Sequence, residues 1–161
     1  MFVIKSRFED QIEIESTLEN VRDFFSDPKN FVTLMSSVES IKSLSDTLNR
    51  WIIRVDFPVL GTIKQEFLVE KTADTDEFIE WMPAKIEKQN FLRFSADYLV
   101  KGANKTVVRL LQMVELRREK ATQLHFLALV ANESIISQEM SKHIGKMLNN
   151  FLQQAKTKLE K

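Results

Sequence analysis

No cysteine occurs in the 161 residues. This excludes a disulfide framework, cysteine-ligated zinc, iron–sulfur clusters and a thiol nucleophile, and it makes a reducing, cytoplasmic setting the expectation. Glycine and proline are scarce, three of each. Neither a GxGxxG turn nor a Walker A loop can be written with so few, and no Pro/Gly/Ser-rich linker divides the chain. An excess of charge is also missing, with 23 Lys and Arg against 23 Asp and Glu. A chain with no basic excess lacks the usual electrostatic footprint of nucleic-acid binding, so no nucleic-acid partner is expected. Apolar runs are short. The longest, 124–131, is interrupted by His125, far from the ~18 residues a membrane-spanning helix needs. The first residues, Met1 to Arg7, carry charge too early to read as a signal peptide. What remains is a chain of single-domain length, expected to fold as one unit over 1–161, with an interior supplied largely by its 12 phenylalanines.

Periodicity organises that interior. Phe2, Ile4, Phe8, Ile12 and Ile14 alternate with Lys5, Arg7, Glu9, Gln11 and Glu13, the pattern of a strand with one buried face. Asp10 interrupts that face. Thr17 predicts a helix N-cap, with Leu18, Val21, Phe24 and Phe25 at helical spacing. Asp27-Pro28 predicts a second start, with proline at the first helical position and Phe31, Leu34 and Met35 on the buried side. Six alternating segments follow: 38–44, 51–57, 63–70, 78–82, 92–100 and 106–114, with turns at Pro58 and Gly61, at 74–76 and at 102–104. Strands in succession without helices between them predict an antiparallel sheet. From Asn132 to Glu160 the period changes to a helix, with Met140, Ile144, Met147, Leu148, Phe151, Ala155 and Leu159 on one broad face.

Strand, two short helices, six strands and one long C-terminal helix form an order that resembles the helix-grip fold of the START and Bet v 1-like superfamily, in its polyketide cyclase/dehydrase-like branch. The resemblance is carried by Ile14 to Pro28, by Ser37-Val38-Glu39-Ser40, by Phe78-Ile79-Glu80-Trp81 and by Lys105 to Leu110. The chain departs from its relatives in lacking glycine over 127–133. The resemblance implies an α+β fold, a curved sheet of about seven strands wrapped around the C-terminal helix. It also implies an internal cavity for a hydrophobic or amphipathic small molecule such as a lipid, fatty acid, isoprenoid or polyketide-like compound. No cofactor and no metal are expected, and the oligomeric state is left open.

The inward parity then proposes the ligand-binding wall. Trp51, Ile53, Val55 and Phe67 come first, then Ile79, Trp81, Leu92, Phe94 and Tyr98, then Val108, Leu110 and Gln112. The helix adds Met140, Ile144 and Met147. The competing reading is that these side chains simply fill one another's gaps, the commoner use of methionine in particular. Asp10, Gln65, Tyr98, Gln112, Ser137 and Ser141 are the polar residues expected to point inward, each needing a partner or a ligand group. Arg54, Asp56, Lys64 and Glu66 are expected outside, in weak cross-strand ion pairs.

Catalytic chemistry has little to build on. His125 and His143 are the only histidines. Glu139 and His143 stand four apart on the helix, where side chains meet, but no third ligand accompanies them and a solvated helix face is the expectation. No paired inward carboxylates and no Ser–His–Asp arrangement can be placed together. Binding is therefore the expected function. The alternatives are a cyclase or aromatase acting on a polyketide-like substrate, and an interaction module with a filled core.

Overall fold

The structure of the protein, a computed structural model, describes residues 1–57, 61–124 and 132–161. His125, Pro58 and nearly all of the glycine-poor stretch lie outside the described residues. The chain opens with β1 (Phe2–Ile14), α1 (Leu18–Ser26) and α2 (Pro28–Leu34). It continues through β2 (Val38–Ser43), β3 (Leu48–Phe57), β4 (Gly61–Asp74), β5 (Phe78–Pro83), β6 (Asn90–Gly102) and β7 (Lys105–Arg118), and after a short turn of 3-10 helix it ends in α3 (Glu133–Leu159). The three helix starts are capped as their sequences dictate: Thr17 Oγ1 accepts from Asn20 N–H, Asp27 Oδ1 from Lys29 N–H and Asn132 Oδ1 from Ile135 N–H. α3 runs unbroken through Gly145.

The seven strands form one sheet in the order β1-β7-β6-β5-β4-β3-β2, antiparallel at every pairing. This is the helix-grip arrangement. Most strands are longer than their apolar alternation alone marks out; β4 continues to Asp74 and β7 to Arg118, because ladder hydrogen bonds to a neighbour persist past the last apolar residue. β5 is short and pairs with β6 only from Phe78 to Trp81. Beyond its end, β4 and β6 approach each other and the Asn90 amide donates to the Glu66 carbonyl at 2.8 Å.

α3 also closes the free edge of β1. Glu133 accepts from Val3 N–H at 3.0 Å, Ser137 Oγ from Lys5 N–H at 3.1 Å and Glu160 from Glu15 N–H at 3.0 Å, while Lys156 Nζ donates to the Glu13 carbonyl at 2.8 Å. These contacts occupy edge groups near both ends of β1 and so hinder strand addition there. The inward placement expected for some polar residues is corrected here. Ser137 serves the β1 edge, and Ser141, half-buried, borders a shallow groove along α3 with Lys142 and Gly145, not the cavity. Asp10 is exposed, although it shares its strand face with Phe8 and Ile12, which pack against the core; a carboxylate without a buried partner keeps its hydration. Lys64 and Glu66 are exposed as expected, and each is in a cross-strand ion pair, Lys64 with Glu39 at 2.7 Å and Glu66 with Arg50.

The middle of the core is aromatic. The Phe31 ring, fully buried, stands 5.8 Å from Trp51, 5.5 Å from Trp81, 5.2 Å from Phe94 and 5.5 Å from Phe151. One residue of a short helix thus ties three strands to α3. No described helix is long and apolar enough to cross a membrane.

Candidate functional site: an apolar cavity with one polar corner

The aromatic cluster fills the centre of the sheet–helix interface but not its end. Toward the start of α3 a cavity of about 20 Å³ remains. Its wall follows the two periods of the chain. Strand positions two apart supply Ile53 and Val55 from β3, Ile63, Gln65 and Phe67 from β4, and Val114 and Leu116 from β7. Helix positions four apart supply Ile136, Met140 and Ile144, and Ile4 and Leu124 are the other described residues of the wall. Gln65 is the one polar residue among them.

The residues expected to line a pocket are divided by the structure. Ile53, Val55, Phe67, Met140 and Ile144 meet at the cavity. Trp51, Trp81 and Phe94 instead pack on one another at 5.7–6.0 Å within the aromatic cluster. Leu92, Val108, Leu110 and Met147 are buried in the surrounding core. Tyr98 lies at the far end, its ring 6.3 Å from Phe25, and burial, reinforced by Asp74, pushes its phenol above the ordinary tyrosine range. Gln112 is 2% exposed, between Phe8 on β1 and Phe94 on β6 in register. Its amide nitrogen and the Trp51 indole N–H have no hydrogen-bond partner among the described residues. The wall residues absent from the expected ligand wall are Ile4, Ile63, Gln65, Val114, Leu116, Leu124 and Ile136. Strand parity carried along β1, β4 and β7 reaches Ile4, Ile63, Gln65, Val114 and Leu116, and helical spacing before Met140 reaches Ile136, whereas Leu124 belongs to no strand or long helix and had no such signal.

Gln65 leads to a polar corner where the sheet parts around the end of β5. Arg118, the next inward position after Leu116, donates through Nη2 to Gln65 Oε1 at 2.7 Å and to Asn90 Oδ1 at 2.8 Å. Its Nη1 donates to the carbonyls of Arg117 and Gln89, at 2.7 and 3.3 Å. Asn90 Nδ2 donates to Gln65 Oε1 at 3.2 Å, so that oxygen accepts twice. Burial lowers the Arg118 pKa, and the Glu87 charge opposes the shift.

Glu87 organises the loop beneath. Its Oε1 accepts from the N–H groups of Lys88, Gln89 and Asn90 at 2.9–3.0 Å, and its Oε2 from Leu68 N–H at 3.4 Å. Burial pushes this carboxyl up, but the backbone donors outweigh it and the pKa is lowered. A depressed native pKa means that the carboxylate's contribution to stability is complete above the ordinary glutamate value of about 4.3 and is lost as the pH falls through the native value. The amide proton shifts of Lys88, Gln89 and Asn90 are expected to titrate together, with a midpoint below that ordinary value. A midpoint at or above it would contradict this role.

The described residues hold no cluster of three or more His, Asp or Glu able to bind a metal ion. Glu139 and His143 are both half-buried on α3.

No family model matches the sequence, and no curated protein matches it. Solved structures do. A START superfamily protein from Mycobacterium smegmatis superposes with a TM-score of 0.64 at 12% identity, covering 96% of this chain and 97% of that one. The Zhui aromatase/cyclase from Streptomyces sp. R1128 gives 0.65 at 11% identity, covering 94% and 93%. The di-domain aromatase/cyclase BexL gives 0.64 at 14% identity over 98% of this chain. The chain spans about half the length of the di-domain proteins it matches, 51% for both BexL and StfQ. At these identities the likeness is one of fold, and the fold is the one shared by START proteins and polyketide aromatase/cyclases.

Proposed function

We propose that the protein binds a hydrophobic or amphipathic small molecule in the cavity between the β3–β4–β7 face of the sheet and the first turns of α3. The observation that carries this reading is the cavity wall, apolar in every described residue but Gln65. A few polar groups in an apolar enclosure orient a ligand whose affinity comes from desolvation. A cavity of about 20 Å³ has room for roughly one water molecule. A ligand therefore enters by displacing wall side chains, and Met140, with its flexible thioether, is the one best able to yield. Binding is favoured over cyclisation by the buried polar set, which consists of serines, a threonine, asparagines, Gln112 and Arg118 and includes no carboxylate or imidazole among the described residues. An acid–base pair of separated pKa has no members here.

The test fills the cavity by single methylenes. The double variant Val55→Ile/Val114→Ile is expected to gain up to about 0.8 kcal/mol per methylene that finds the empty space. Its affinity for the neutral apolar dye N-phenyl-1-naphthylamine is expected to fall, as read by dye fluorescence. Undiminished dye binding by the filled variant, or no saturable binding by the parent, would remove the cavity as the binding site.

A further inference from the structure

The polar corner beside the cavity is unbalanced in donors and in charge. Its side-chain acceptors are in use: Gln65 Oε1 takes N–H groups from Arg118 and Asn90, and Asn90 Oδ1 takes one from Arg118. Asn90 Nδ2 is committed to Gln65 and to the Glu66 carbonyl. The Arg118 nitrogens Nη1 and Nη2 make the hydrogen bonds described above. The donors left over are the Arg118 Nε–H and the Gln65 amide N–H groups, which make no hydrogen bond to a described residue; Gln65 is half-buried, so they are open to an incoming acceptor rather than sealed in the core.

The charge is equally one-sided. Arg118 is 7% exposed, and each oxygen that it touches is neutral. Glu87 acts on it only through space, since the Glu87 oxygens are occupied by the backbone N–H groups of the loop. A buried cation held by neutral oxygens, with donors to spare and an apolar cavity on the other side of Gln65, is complementary to an anion attached to a hydrocarbon. One guanidinium and one amide edge match the two oxygens and single charge of a carboxylate.

We infer that the molecule taken up here is an amphipathic carboxylic acid, its carboxylate bound by Arg118 and Gln65 and its hydrocarbon part lying along Ile53, Val114 and Leu116. This inference rests on the cavity reading, and it deepens that reading by naming the ligand's polar end. Gln65 lines the cavity mainly with its carbon atoms, so the carboxylate meets its amide and the Arg118 Nε–H at the margin of the wall, with only the hydrocarbon inside. Ligand binding would complete the corner without breaking any hydrogen bond that it already contains.

The experiment compares dodecanoate with dodecan-1-ol by calorimetric titration at pH 8, where the acid is ionised. The parent protein is expected to bind the acid at least about tenfold more tightly, the scale of a charge-assisted hydrogen bond over a neutral one. Gln65→Glu, nearly isosteric, gives Arg118 a carboxylate of the protein's own. It is expected to bring the acid-to-alcohol affinity ratio to one or below without lowering the melting temperature. Equal affinities in the parent would overturn the inference while leaving the cavity reading in place, and so would a ratio unchanged in the variant. Saturable binding of neither compound would overturn both. If Gln65→Glu fails to fold, Asn90→Asp supplies the same internal carboxylate and the same ratio decides.

Discussion

Replacing Phe31 by alanine is expected to lower the unfolding free energy by about 3–5 kcal/mol, the upper range for removal of a buried aromatic. Such a loss is a large fraction of the roughly 5–15 kcal/mol that holds a typical domain together. The reason is position. Phe31 is the only buried residue of α2, a helix of seven residues, and a helix so short has little stability of its own. Its ring meets both tryptophans, Phe94 and Phe151, so its loss opens a void against four large side chains that cannot all collapse into it. Urea denaturation measures the change. Because Trp51 and Trp81 are both buried against this ring, tryptophan emission of the folded variant is expected to shift to the red. Hydrogen exchange over 28–34 is expected to accelerate. A loss under about 1.5 kcal/mol, the size of a tolerated volume-conserving swap, would show that the cluster is not close-packed.

Phe151→Ala is expected to cost a similar amount, about 3–5 kcal/mol, by a different route. Phe151 carries α3 into the cluster. Its ring stacks on Phe24 at 6.0 Å and meets Phe25 and Phe31 edge-on at 5.8 and 5.5 Å. The two substitutions share a contact, so their effects are not expected to add. The double variant should be less destabilised than the sum by about 0.5–1.5 kcal/mol, the coupling of an aromatic pair. Additivity within about 0.3–0.5 kcal/mol would mean that the two rings act independently. The same pair of variants bears on the cavity. Phe31 and Phe151 do not line it, so their removal should weaken the fold without altering the acid-to-alcohol preference of the parent.

The sequence by itself determined which side of each strand faces inward and where each helix begins. Strand parity is a geometric property of the extended chain. Ile53 and Val55, Gln65 and Phe67, and Leu110 and Gln112 therefore took their orientation whatever their neighbours. Helix starts are local too: Thr17, Asp27 and Asn132 each satisfy an amide two or three residues away, a bond needing no tertiary partner. The order of elements, with α3 following the whole sheet, carried the fold class.

Only the tertiary structure decided where along the inward face space is left. Trp51 and Ile53 share one parity, yet Trp51 is sealed under Phe31 while Ile53 borders the cavity. That difference depends on how far a side chain from another element reaches, which periodicity does not encode. The polar corner was equally invisible. Gln65, Asn90 and Arg118 are separated by 25 and 28 residues, and each alone reads as an ordinary polar position. They meet because β5 stops short and lets β4 and β6 close together, so the length of one strand places a cation beside an apolar cavity. Asp10 shows the converse. Its parity matches that of Phe8 and Ile12, which pack against the core, yet its carboxylate stays in solvent, because parity sets a side and not whether a charged group finds a partner there.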